Sequence, residues 1–189
     1  MECGAALYFD KTTDAAIRGL WQVIEDAGLH SGMLRLNYPP HLTILTCEDS
    51  DLPALSLALN DFLANHPPIE ISFHSLGVFN SLNGIVYLAP VPSLALLRFH
   101  AALWKIAEPF LINPSPLYRP GAWVPHVTLN MDIPSAQTGA VINTLLSANL
   151  PRRGLLTSLF VAEFGPDALT FEELHKARLG ENLSTGANR

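Results

Sequence analysis

Apolar and polar positions along the chain fall into two stretches that repeat the same order of elements. Gly4 to Asp10 carries an apolar run (Ala5, Ala6, Leu7, Tyr8, Phe9) that predicts a strand. A helix follows from about Thr13, with a threonine cap, an apolar stripe of Ile17, Leu20, Trp21 and Ile24, and a stop at Gly28. His41 to Cys47 alternates as a strand, and Asp51-Leu52-Pro53 opens a second helix that buries Leu55, Leu59, Phe62 and Leu63 before Pro67-Pro68. Ile69 to Phe79 reads as a long strand closed by turn residues from Asn80 to Gly84. The order then recurs: a strand from Ile85 to Ala89, a helix from Ser93 to Glu108, a Pro-rich loop to Pro125, a strand from His126 to Met131, and a helix capped by Ser135. Leu155 to Phe164, a turn at Gly165-Pro166-Asp167 and Leu169 to Leu174 form a closing hairpin, and a loose tail follows from Leu179.

The two copies are matched in spacing. His41 lies 28 residues before Ile69, and His126 lies 29 before Leu155. A weak internal repeat of β-α-β-α-β, with a period near 80 to 85 residues, therefore predicts an α+β fold of two lobes about a pseudo-twofold axis. Residues 1–178 form one bilobal domain with halves of about 1–80 and 81–178, and 179–189 is the tail.

What repeats most sharply is a motif: Pro40-His41-Leu42-Thr43-Ile44 and Pro125-His126-Val127-Thr128-Leu129. Residues i and i+2 of a strand share a face, so each copy presents one imidazole beside one hydroxyl while its apolar residues enter a core. With 7 His in the chain, only about 0.4 His-x-Thr triplets are expected from composition. Two such strands facing each other would set two imidazoles and two hydroxyls around one cleft. That set suits a phosphodiester, which needs a base, an acid and donors for its charged oxygens.

Composition narrows the partners. The 189 residues are 49% apolar and 15% charged, enough for a proper core and too apolar for disorder. No apolar run approaches the length of a membrane span, and the N-terminus lacks the basic region of a secretory signal, so cytoplasmic residence is the default. Cys3 and Cys47 are too few for a disulfide framework or a zinc site. A net charge of −6, with only 11 scattered Lys and Arg, argues against a grip on duplex nucleic acid and for a small nucleotide or an RNA end.

These residues carry a family resemblance. His41-Leu42-Thr43-Ile44 and His126-Val127-Thr128-Leu129, one in each half, make the chain resemble the two-histidine phosphoesterase superfamily, which includes bacterial 2′-5′ RNA ligases and RNA cyclic phosphodiesterases. The likeness runs in element order from about residue 5 to 175. Trp123-Val124-Pro125-His126 is typical of that family, whereas Arg35-Leu36-Asn37-Tyr38-Pro39-Pro40 is less so, and no basic rim is evident. The resemblance implies mainly antiparallel sheets flanking a central cleft and a mechanism without metal or cofactor. One imidazole takes a proton from the attacking oxygen, the other protonates the leaving alkoxide, and Thr43 and Thr128 donate to the non-bridging oxygens. Which histidine is the base stays open.

Tyr38, Tyr118, Arg119 and Trp123 flank the motifs, where the aromatics could stack on a nucleobase or simply cover the lobe interface, and Arg119 could pair with a phosphate. His30, His66, His74, His100 and His175 show no metal-ligand spacing and read as structural. The expected activity is hydrolysis of a cyclic phosphate or 2′-5′ phosphodiester at a nucleotide or RNA end by a monomer away from membranes. The alternative is a nucleotide-binding module on the same fold without turnover.

Overall fold

A computed structural model describes residues 2–36, 38–80, 84–131, 134–164 and 171–184. In chain order the elements are β1 (Glu2–Phe9), α1 (Lys11–Asp26), α2 (Met33–Leu36), β2 (His41–Cys47), β3 (Asp49–Ser50), α3 (Leu52–Ala64), β4 (Ile69–Val78), β5 (Val86–Pro90), α4 (Leu94–Ala107), β6 (Leu111–Ile112), β7 (Val127–Asn130), α5 (Thr138–Leu146), β8 (Arg153–Phe164), β9 (Phe171–Arg178) and α6 (Glu181–Ser184). The small pair β3 and β6 forms its own two-stranded sheet.

The main sheet runs β2-β1-β8-β4-β5-β7, with β9 added on β8, and every pairing in it is antiparallel. Without β9 this order is a palindrome. Exchanging β1 with β5, β2 with β7 and β4 with β8 returns the same sheet. The axis falls on the β4–β8 pairing, where Ile69 faces Leu156, Glu70 faces Leu155 and Ile71 faces Gly154. Glu70 and Leu155 are separated by the same 85 positions as His41 and His126. β4 and β8 thus each leave their own sequence half and complete the sheet of the other.

The helices follow the same exchange. α1 and α5 pack together and reach β7 and β5, while α3 packs on α4 and β9. α1 buries Ile17, Leu20, Trp21 and Ile24, as its periodicity requires. Its cap differs from expectation: Asp10, not a threonine, accepts from Thr13 N at 3.2 Å. A carboxylate is a stronger acceptor at the positive helix end. Thr13 is buried, and its hydroxyl instead accepts from Leu155 N at 3.4 Å. The expected Ser135 cap is likewise replaced, since Ser135–Gln137 is a 3-10 turn and α5 starts at Thr138 without a side-chain cap.

Cys3 and Cys47 face each other on β1 and β2 and form a disulfide, a pairing that two cysteines 44 residues apart did not suggest from sequence. The turn expected at 165–167 lies outside the described residues. At the C-terminal end, Leu179 is buried and Gly180 N donates to Leu63 O at 3.0 Å, so the chain stays attached to α3 where a loose tail was expected to begin. Residues 185–189 lie outside the described ones. No helix among the described residues is long and apolar enough to cross a membrane.

One glycine on β4 makes room for the Tyr87 ring beside His126. A Cβ at Gly77 would fall within the ring of Tyr87, directly opposite on β5. Gly77→Ala is expected to destabilise the protein by about 1–3 kcal/mol through overpacking. A denaturant midpoint at wild-type level would show that the Tyr87 ring is free to move.

Candidate active site

Both motif strands break their alternation at the same place. Ala5 pairs with Leu45 and Ala6 with Thr43, leaving Ile44 as the extra residue of a bulge. Val86 pairs with Asn130 and Tyr87 with Thr128, leaving Leu129 extra at the equivalent position. Hence Ile44 and Leu45 are both buried, as are Leu129 and Asn130, while the His and Thr before each bulge stay half-exposed on one face. A bulge re-aims the side chains next to it and frees backbone groups from the ladder.

Those backbone groups are held from the opposite half of the chain. Trp123 Nε1 donates to Thr43 O at 3.0 Å, and Trp21 Nε1 donates to Thr128 O at 3.1 Å. His100 Nε2 lies 3.2 Å from Ile44 O, and its ring stacks on Trp123 with centroids 4.0 Å apart. Each motif strand is therefore fixed by an indole from the other half.

The imidazoles are clamped identically. His41 Nδ1 donates to Pro39 O at 2.8 Å, and His126 Nδ1 donates to Val124 O at 2.8 Å. With Nδ1–H committed to a carbonyl, the neutral ring carries its lone pair on Nε2, which has no protein partner among the described residues. Each ring also meets a phenyl edge-on. Phe160 lies 6.0 Å from His41 at 89° and stacks on Tyr8; Phe79 lies 4.8 Å from His126 at 90° and packs against Tyr87.

Burial among these rings pushes both imidazoles below their ordinary pKa, against the raising effect of the carbonyls. The charge of His126 lowers His41 further, so the two rings lie within electrostatic reach of each other. Chemically, the arrangement offers two Nε2 positions that can each accept or deliver a proton, with a threonine hydroxyl beside each.

The flanking residues separate into two groups. Tyr38 is buried and reaches both His41 (6.3 Å) and Phe164 (6.2 Å) by edge contacts. Trp123 is buried, with its N–H bonded to β2 and His100 against its face, so its ring serves the strand. Tyr118, its phenol pushed up by burial, and Arg119 line a cavity with Thr46, Glu48 and Asn113 to which neither motif histidine contributes. His30, His66 and His175 bond to Glu25, Phe62 O and Asn60. His74 is exposed on β4. Among the described residues no three His, Cys, Asp or Glu side chains cluster so as to hold a metal ion. Sequence reasoning missed Trp21, Phe79, Tyr87, Phe160 and His100 as parts of this site. Their helix and strand positions read as ordinary core; Trp21, His100, Phe79 and Phe160 reach the motifs from the opposite half of the chain, and Tyr87 lies beside its own on β5.

The fold and the two clamped His-x-Thr motifs are those of a two-histidine phosphoesterase. A model of the 2'-5' RNA ligase superfamily matches residues 13–168, and the chain belongs to that family. GK0864 of Geobacillus kaustophilus (strain HTA426), a phosphoesterase by name, is 27% identical over 110 residues, a match covering 57% of this chain and 60% of that protein. Among solved structures, TT0787 of Thermus thermophilus aligns with a TM-score of 0.62 at 16% identity, over 95% of this chain and 98% of that one. E. coli LigT in apo form aligns with a TM-score of 0.58 at 18% identity, over 94% and 96%. LigT has also been solved with 3'-AMP, NADP+ and ATP.

The pKa directions fix a pH dependence. With one imidazole as base and the other as acid, a productive free cleft would hold one ring neutral and one protonated, a state most populated between the two pKa values. Both lie below the ordinary 6.5, so kcat/KM is expected to peak below pH 6.5 and to fall as pH rises through neutrality. A pH–rate profile on wild type checks this, and a maximum above pH 7 would contradict the desolvated environment.

Proposed function

We propose that the protein is a metal-independent phosphoesterase that opens a cyclic phosphate or cleaves a 2′-5′ phosphodiester at a nucleotide or RNA end. The observation that carries this reading is the pair of identically clamped imidazoles whose Nε2 atoms have no protein partner among the described residues. The nucleotide complexes of LigT support the choice of a nucleotide as ligand. A chain of net charge −6 suits a small substrate or an RNA end better than a duplex, and the protein acts as a monomer. We also assign it to the cytoplasm, where thiol buffers would open the Cys3–Cys47 disulfide.

In hydrolysis repulsion between the imidazoles keeps the cleft singly protonated, and we assign that proton to His126. His41 Nε2 takes a proton from the attacking water as its oxygen bonds to phosphorus. His126 Nε2–H protonates the ribose oxygen that leaves. Thr43 and Thr128 hydroxyls donate to the non-bridging oxygens as charge builds on them. Microscopic reversibility exchanges the two imidazole roles in ligation.

Each acid–base partner is worth about 10²–10⁴ in rate, so His41→Ala and His126→Ala should each lose that much turnover of a nucleoside 2′,3′-cyclic phosphate measured in chelator. Full turnover by either folded variant would refute the composite site, and tight nucleotide binding without turnover by wild type would favour the binding-module reading. The roles separate with a phosphodiester whose leaving group is p-nitrophenoxide, which departs without a proton. That substrate should restore much of the activity of His126→Ala and little of His41→Ala; the reverse pattern would exchange the assignments.

A further inference from the structure

β9 is the one strand of the main sheet that breaks its palindrome, and it lies on the His41 side. Two registered rows cross the sheet from the first motif strand to β9. His41 pairs with Tyr8, Tyr8 with Ser158, and Ser158 with Arg178. Thr43 pairs with Ala6, Ala6 with Phe160, and Phe160 with Lys176. Directly paired residues share a face, so each row has a motif side chain at one end and a cation at the other. The backbones of the row ends are three strand spacings apart, about 14 Å. Lys176 shortens that gap, since its Nζ reaches back to 4.7 Å from the centre of the Tyr8 ring, one strand from His41.

A cavity of about 770 Å³ opens over this strip, lined by Tyr8, Pro39, Ser158, Lys176, Arg178 and Lys11 among others. Pro39 is also the residue whose carbonyl clamps His41. The acids at the cavity are already engaged: Asp10 caps α1, Asp14 pairs with Arg18, and Glu173 accepts from the Tyr8 hydroxyl. Lys11, Lys176 and Arg178 form no ion pair with any described residue. With Asp14 paired to Arg18, the lining keeps three cations against the carboxylates of Asp10 and Glu173, whose hydrogen bonds to neutral donors leave their charge in place.

We infer that Lys176 and Arg178 form a second phosphate position beside the His41 half of the cleft, which takes the phosphate adjacent to the reacting one in an oligonucleotide end. The inference rests on the proposed function and deepens it. The preferred substrate is a nucleotide bearing a further phosphate, and its chain leaves the cleft over β9. An arginine fork and a lysine ammonium recognise phosphate oxygens by charge-assisted hydrogen bonds, and Ser158 adds a neutral donor between them.

The test is a calorimetric titration of wild type and of a Lys176→Ala/Arg178→Ala variant with uridine 3′-monophosphate and uridine 3′,5′-bisphosphate. Wild type should bind the bisphosphate at least about tenfold more tightly than the monophosphate, and the ratio should fall to near one in the variant. No preference in wild type, or a preference that survives in the variant, overturns the inference. Both positions lie on an exposed strand, and a Lys176→Gln/Arg178→Gln pair gives a second test should the alanine pair fold poorly. Hydrolysis of uridine 2′,3′-cyclic phosphate by wild type, assayed in parallel, separates the two proposals. Turnover with an unaltered binding ratio defeats the second site alone, and absence of any nucleotide binding defeats both.

Discussion

Everything in this molecule hangs on the antiparallel pairing of β4 with β8. It spans only Ile69 to Ser72 against Arg153 to Leu156, yet it carries the pseudo-twofold axis. Because β4 and β8 each cross that axis, neither half owns a complete three-stranded sheet. A two-stranded remnant is marginal in water, so the halves depend on one another to fold. The same crossing places β2 and β7 at the two ends of the palindrome, and it delivers Trp21 to Thr128 and Trp123 to Thr43. The indole clamps are thus a consequence of the strand exchange.

The imidazoles pay for their position among aromatic rings with a lowered proton affinity, and the carbonyls of Pro39 and Val124 return part of it. The aromatic pairs that create this environment are not built from equivalent residues. Tyr8 lies opposite His41, whereas Tyr87 lies opposite Thr128, and Phe160 sits within β8 while Phe79 follows β4. Gly77 lies opposite the Tyr87 ring on one side, whereas Ala6 of β1 lies opposite Phe160 on the other. The repeat is therefore reproduced in the surroundings of each ring without being reproduced position by position.

That difference explains what could be read beforehand. The order of the major elements, the first motif strand from His41 to Cys47 and the Asp51 and Ser93 helix starts are local signals carried by periodicity and caps. The α+β, mainly antiparallel class follows from them and from the family likeness. Strand exchange is a non-local choice: nothing in the pattern of Ile69 to Val78 says that its partners are β5 and β8. The bulges at Ile44 and Leu129 escaped notice because two adjacent apolar residues look like an ordinary core run. Lys176 and Arg178 were two of several scattered cations, although their i, i+2 spacing on a strand was the available sign that they share a face.

A cleft this symmetric raises a problem for acid–base chemistry, which needs two groups in different protonation states. Identical Nδ1 clamps and similar phenyl contacts would give two equal imidazoles, and equal groups share a proton without preference. One feature of this chain removes the equality: Phe79 stands closer to His126 than Phe160 does to His41. A second asymmetry lies on the ligand's path: β9 puts Lys176 and Arg178 beside one motif and has no counterpart beside the other among the described residues. On the function and phosphate position proposed above, a nucleotide held over β9 would enter in one direction only. Its direction of entry would decide which oxygen meets His41 and which meets His126, and a fixed orientation of the ligand would convert a nearly symmetric pair of imidazoles into a base and an acid.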